Sequence, residues 1–122
     1  PTVFKLLNVS NCTNVAYMFY QCTSLTAVPP LNTSKGTSFT GIFYNCPELE
    51  TVAFTGTVKI TKNTTIFSNS PKLTVESLMS LINALVNASS TATYKVTIGA
   101  TNLAKLTAEQ VKIATDKRIT LA

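Results

Sequence analysis

Histidine is absent from all 122 residues of the chain. Without an imidazole, no Ser-His or Cys-His pair can activate a nucleophile in the usual way. The three cysteines, Cys12, Cys22 and Cys46, form no Cys-x-x-Cys pair, which argues against a zinc site. Four scattered glycines make no phosphate-cradling loop. Carboxylate side chains are restricted to Glu48, Glu50, Glu76, Glu109 and Asp116. Glu48 and Glu50 alternate along one extended segment, but nothing around them supports a glycosidase pair, and a solvated strand edge accounts for them. No apolar run reaches about 18 residues, so no membrane-spanning helix is expected. This inventory points away from an enzyme and implies no cofactor and no metal.

Charge is also scarce. Only 12% of residues are charged, about half the usual share, so Thr, Ser and Asn must carry the polar surface. Such a surface suits a secreted or cell-surface protein. The net charge of +5 gives a mildly basic surface. Its Lys and Arg are not clustered, so no nucleic-acid footprint is expected. A hydrophobic content of 45% argues against disorder, and the length fits one domain. Pro1 at the first position and the lack of a leader imply a chain trimmed by processing or excised from a longer one.

What the sequence does contain is repetition. Met18-Phe19-Tyr20-Gln21-Cys22-Thr23-Ser24-Leu25 returns 24 residues later as Ile42-Phe43-Tyr44-Asn45-Cys46-Pro47-Glu48-Leu49, and again as Ile66-Phe67-Ser68-Asn69-Ser70-Pro71-Lys72-Leu73. Upstream, Leu7-Asn8-Val9-Ser10-Asn11 aligns with Leu31-Asn32-Thr33-Ser34-Lys35 at the same spacing. A unit this short cannot close a core alone and must stack on its neighbours. Residues 4–6, 28–30 and 52–54 read as one short strand per coil. The rest of each coil reads as loop or short helical turn, rich in Thr, Asn and Ser.

The pattern changes after Leu73. Val75, Leu78, Met79, Ile82, Leu85 and Val86 recur at helical spacing, with Thr74 placed to cap. Tyr94 to Ile98 alternates as a strand and stops at Gly99. Thr107-Ala108-Glu109-Gln110 matches a capping box, with Val111 and Ala114 forming the apolar face of the helix it opens. Ile119 to Leu121 reads as a last strand. The order helix–strand–helix–strand suits the atypical end of a repeat array. The chain is therefore expected to divide into coils over residues 1–73 and a cap of the same array over 74–122.

The motif Met/Ile-Phe-Tyr-x-Cys-x-x-Leu-x-x-Val, preceded by Leu-Asn-Thr-Ser, resembles BspA-like leucine-rich-repeat surface proteins. Leu73 to Ala122 is similar to the C-terminal module that often follows those repeats. The third copy departs from the motif, with Ser68 for Tyr and Ser70 for Cys. The resemblance implies an α/β fold: a right-handed leucine-rich-repeat solenoid with a parallel sheet and a helical C-terminal cap. It also implies a surface-exposed protein with a role in adhesion or ligand binding, and it brings no catalytic residues.

Two side-chain ladders are candidates for a binding face. Tyr20 and Tyr44 are repeat-equivalent, with Tyr17 close by in its own coil. Lys35 and Lys59 are also equivalent, with Lys62 three residues on. Aromatics beside Asn and Lys are the groups that carbohydrate- and protein-binding faces use, although a repeat generates ladders whatever its function. Asn-x-Ser/Thr triplets begin at Asn8, Asn11, Asn32, Asn63 and Asn87. In a eukaryotic secreted protein these would be glycan acceptors; in this Asn- and Thr-rich chain repetition alone produces most of them. Cys22 and Cys46 hold one repeat position and are expected to be buried, reduced packing groups.

The expected function is thus a non-enzymatic surface module that recognises a host surface protein or a glycan. The alternative is a structural spacer or phage tail-associated element that positions another domain. Phe4 and Leu6 on an open first strand would favour self-association through the N-terminal edge.

Overall fold

The computed structural model of the chain describes residues 9–88 and 91–122. It is a small α/β fold whose elements run β1 (Thr64–Thr65), α1 (Val75–Ala84), β2 (Tyr94–Thr97), α2 (Ala100–Leu103), α3 (Ala108–Asp116) and β3 (Ile119–Leu121). The three strands form one parallel sheet in the order β1-β2-β3. Val96 and Thr97 of β2 face Thr64 and Thr65, and Tyr94 to Val96 face Ile119 to Leu121.

Before β1 the backbone pairs in the same parallel sense without forming regular strands. Val15, Tyr17, Phe19 and Gln21 donate their N–H groups to the carbonyls of Ser38, Thr40, Ile42 and Tyr44. Gly41, Phe43 and Asn45 then donate to Thr65, Ile66 and Ser68. Each copy of the motif is thus hydrogen-bonded to the next. The left-handed backbone positions repeat as well: Gln21, Asn45 and Asn69 all lie at φ near +60°, as do Tyr17 and its counterpart Gly41. Left-handed residues every few positions keep this ladder from running as an extended strand.

The segments 28–30 and 52–54, read from the sequence as strands, are not strands. They make only isolated parallel bridges, Ala27 with Thr51 and Leu31 with Phe54. Pro29 and Pro30 explain the break at 28–30, because neither has an N–H to give to a ladder, and at 52–54 the N–H groups of Val52 and Phe54 go to serine hydroxyls instead. The expected strand at residues 4–6, with Phe4 and Leu6, lies outside the described residues. The strands expected near 95–98 and 119–121 are present as β2 and β3.

The core follows the repeat. Phe19, Phe43 and Phe67 are buried in one stack, with ring centroids 5.1 and 5.6 Å apart. These distances slightly exceed the strand spacing of about 4.8 Å, because offset stacking of the rings sets them as well as the ladder. Leu25, Leu49 and Leu73 are buried alongside. After the third copy the chain enters α1. Thr74 accepts from Ser77 N–H and caps the helix. Ser77 and Ser80 then receive the N–H groups of Val52 and Phe54, at 3.0 and 2.8 Å, while the Ser77 hydroxyl donates to Glu50 O. Side-chain hydroxyls thereby satisfy a backbone edge that a further strand would otherwise pair. Leu78, Leu81, Ile82 and Leu85 face the core; Val75 and Val86, included in the helical apolar pattern, are instead exposed.

The last elements pack beside α1 and β2. The Thr107 capping box is complete: its hydroxyl accepts from Gln110 N–H, and the Gln110 side chain accepts from Thr107 N–H. Ala114 is buried and Val111 half-buried on the apolar face of α3. Lys117 donates to Ile82 O and Asn83 O at 2.9 and 3.2 Å, placing a cation on the exposed carbonyls of the C-terminal end of α1. Burial lowers the Lys117 pKa from the ordinary lysine value. Among the described residues no helix is long and apolar enough to cross a membrane.

Candidate binding surface

The structure brings the three sequence-identified tyrosines together. Tyr20 stacks on Tyr44 with centroids 5.4 Å apart and ring planes 7° from parallel. Tyr17 meets Tyr20 edge-on, at 5.5 Å and 87°. Tyr17 is 56% exposed and Tyr20 42% exposed. With Thr40, Gly41 and Thr65 they line an open cleft of about 260 Å³.

Backbone geometry aims this cluster. Tyr17 sits at φ +59°, a conformation that costs a bulky residue about 1–2 kcal/mol. Its counterpart one repeat on is Gly41, at φ +68°. A Cβ on Gly41 would lie 2.5 Å from the Tyr17 ring, so glycine is needed there both for the φ and for the ring lying over it. The left-handed turn at residue 17 thus lays a tyrosine over the next copy of the motif, and the bare backbone of Gly41 receives it.

The lysines do not join this cluster. Lys35, Lys59 and Lys62 are all exposed, and none lines the tyrosine cleft. Lys35 reaches back to Asn11 Oδ1 at 3.3 Å. It lies in a turn, whereas Lys59 follows the bridge from Val58 to Leu85 and is not in a turn. Equivalence in sequence therefore does not carry over to equivalent local structure at this position.

In two larger hollows, part of the polar lining serves the fold. One, of about 300 Å³ beside Phe67 and Ile98, holds Asn102, whose amide donates to Ser70 O and Ile98 O. The other, of about 390 Å³, is bordered by Ser77 and Ser80, which serve the backbone of Val52 and Phe54. Glu48, one of the two alternating glutamates, is exposed and pairs with Lys72, one repeat on, at 2.7 Å. This partner raises the Lys72 pKa. Among the described residues no group of His, Cys, Asp or Glu could hold a metal ion.

The cysteines are free. Cys46 is fully buried, but Cys22, expected to be buried with it, is only half-buried. Cys46 does more than pack. Its Sγ donates to Phe19 O at 3.0 Å, and the Ser70 hydroxyl donates to Phe43 O at 2.7 Å, the same bond one repeat later. Ser70 Oγ also accepts from Cys46 N–H at 2.9 Å. Thiol and hydroxyl exchange at this position because both are small donors, a signal present in the sequence but read there only as size. Burial pushes the Cys46 thiol pKa up. Of the Asn-x-Ser/Thr triplets, Asn32 accepts from Ser34 and Asn63 from Lys95 N–H, and Asn8 lies outside the described residues.

Searches among protein families, curated proteins and solved structures found no match to the chain.

Proposed function

We propose that the chain is part of a right-handed, leucine-rich-repeat-like solenoid of 24-residue coils, ended by a cap built from α1 to α3, and that it acts as a non-enzymatic binding module on a secreted or cell-surface protein. The observation that carries this reading is the tyrosine cluster: two exposed aromatic rings and the half-buried ring of Tyr44, held in fixed mutual geometry by a repeating backbone, over a glycine that makes room for one of them. Rigid exposed aromatics supply large contact area at low entropic cost, which is how binding hot spots are built. The ligand is a host surface protein or a glycan. The hydrogen bonds from each motif copy to the next support the stacked-coil arrangement, and the BspA-like motif supports display at a surface.

The test is a binding screen on immobilised extracellular-matrix proteins and a glycan array, run with the wild type and with Tyr44→Ala. The reading expects at least one ligand class to bind, and binding to fall at least about tenfold in the variant, the effect of losing one well-packed aromatic contact. No binding to either panel, or binding indifferent to Tyr44→Ala, would overturn it.

A further inference from the structure

We infer that the Tyr17/Tyr20/Tyr44 cleft is a subsite for one neutral pyranose ring. This rests on the binding-module reading above and narrows it to a ligand chemistry.

The cleft has room for one small ring. At about 260 Å³ it falls below the roughly 300–1,000 Å³ of pockets that enclose drug-sized ligands. Its lining carries no charge: three tyrosines, two threonines and Gly41. The lining has no acid to pair with a cation, which would have only the ring faces, and no Lys or Arg to hold an anion. A cation is further disfavoured by a net charge of +5. What remains is aromatic face and hydroxyl.

The hydroxyls are available. Within the described residues, none of the Tyr17, Tyr20, Tyr44, Thr40 and Thr65 hydroxyls has a protein hydrogen-bond partner, in contrast to Ser70, Ser77, Ser80 and Asn102 around the other hollows. Each can both donate and accept. The aromatic column also ends at Tyr44, which is half-buried. Tyr20 lies on Tyr44, but the next position in the ladder is Ser68, which has no ring to cover Tyr44. A pyranose matches both features. Its axial C–H groups form an apolar face that packs on an aromatic ring, and its equatorial hydroxyls point outward to phenol and threonine oxygens.

The strain at Tyr17 fits this use. A left-handed tyrosine is retained where the next coil has glycine, and its ring gains little burial for that cost. The orientation it gains is toward the cleft.

The experiment is an NMR titration of the intact chain, observing tyrosine ring signals, with methyl glycosides of glucose, galactose, mannose and N-acetylglucosamine, and with tetramethylammonium chloride and inorganic phosphate as charged probes. The expected result is saturable movement of the Tyr17 and Tyr44 signals with at least one glycoside, at a Kd of about 1–10 mM for a single ring. Tyr17→Gly, which suits the backbone at that position, should remain folded and weaken binding at least about tenfold. Tyr44→Phe, which keeps the ring and removes its hydroxyl, should weaken it less than Tyr44→Ala. Failure of every glycoside to move these signals would overturn the inference. So would binding that survives both Tyr17→Gly and Tyr44→Ala, or tighter binding of tetramethylammonium or phosphate. If matrix-protein binding depends on Tyr44 while no glycoside titrates, the pyranose inference falls and the binding-module reading stands. If neither is seen, both fall.

Discussion

Tyr17 and Gly41 occupy the same place in successive copies of the motif, with nearly the same left-handed φ, yet they are opposite extremes of side-chain size. Glycine is the residue this backbone prefers, so Tyr17→Gly should be more stable than Tyr17→Ala by about 1 kcal/mol, since both lose the ring but only alanine keeps the strain. Thermal or urea unfolding of the two variants checks this; an alanine variant as stable as the glycine one would show that position 17 is not held left-handed. Ser70→Ala should cost about 1–3 kcal/mol, because it leaves Phe43 O and Cys46 N–H without their buried partner, whereas Ser70→Cys should cost less, as the thiol in Cys46 makes the equivalent bond. Cys46 itself should react with iodoacetamide far more slowly than Cys12 or Cys22 at neutral pH, because burial holds its thiol protonated. The sign for stability follows. A thiol with a raised folded-state pKa contributes stability that is present below the ordinary thiol range and is lost as pH rises through the folded value. Stability should therefore fall on the alkaline side, and Cys46→Ser should blunt that fall. The tyrosine equivalence was legible in the 24-residue spacing. Tyr17's φ was not, because its counterpart's glycine reads in a sequence as any loop glycine does.

The elements after Leu73 were legible because each carries its own local signal. Thr74 and the Thr107 capping box mark helix starts, and Tyr94 to Thr97 and Ile119 to Leu121 alternate as strands. The helix α2, one turn long, lacks a side-chain cap and left no such mark. Within the coils the alternation at 52–54 pointed to a strand, but the true ladder runs through the Phe-Tyr motif, where left-handed residues disguise it. The serines of α1 were unreadable for a different reason. Their partners, Val52 N and Phe54 N, lie about one repeat earlier, and nothing in a helical pattern marks a serine as a strand substitute. Ser77→Ala should accordingly cost about 1–3 kcal/mol, more than an exposed helix serine, by stranding Val52 N–H. Lys117→Met should cost about 1 kcal/mol through the C-terminal carbonyls of α1. Chemical denaturation resolves both; values near zero would remove α1's serines and its cationic cap from the account.

At the scale of the molecule, each copy of the motif lies directly on the next. Phe43 is the middle ring of the buried stack, so Phe43→Ala should cost about 3–5 kcal/mol, a large part of a small domain's stability. The same stacking places Tyr20 on Tyr44 and Tyr17 over Gly41, so the tyrosine cluster exists only if the core register is right. The most direct test of that register is a nuclear Overhauser spectrum of the intact chain in solution. The account predicts cross-peaks linking the Phe19 ring to Phe43, Phe43 to Phe67, and Tyr20 to Tyr44, together with a Tyr17 ring contact to the Gly41 α-protons. Absence of these contacts between residues 24 apart, in a chain that is otherwise folded, would contradict the stacked repeat and the tyrosine face it presents.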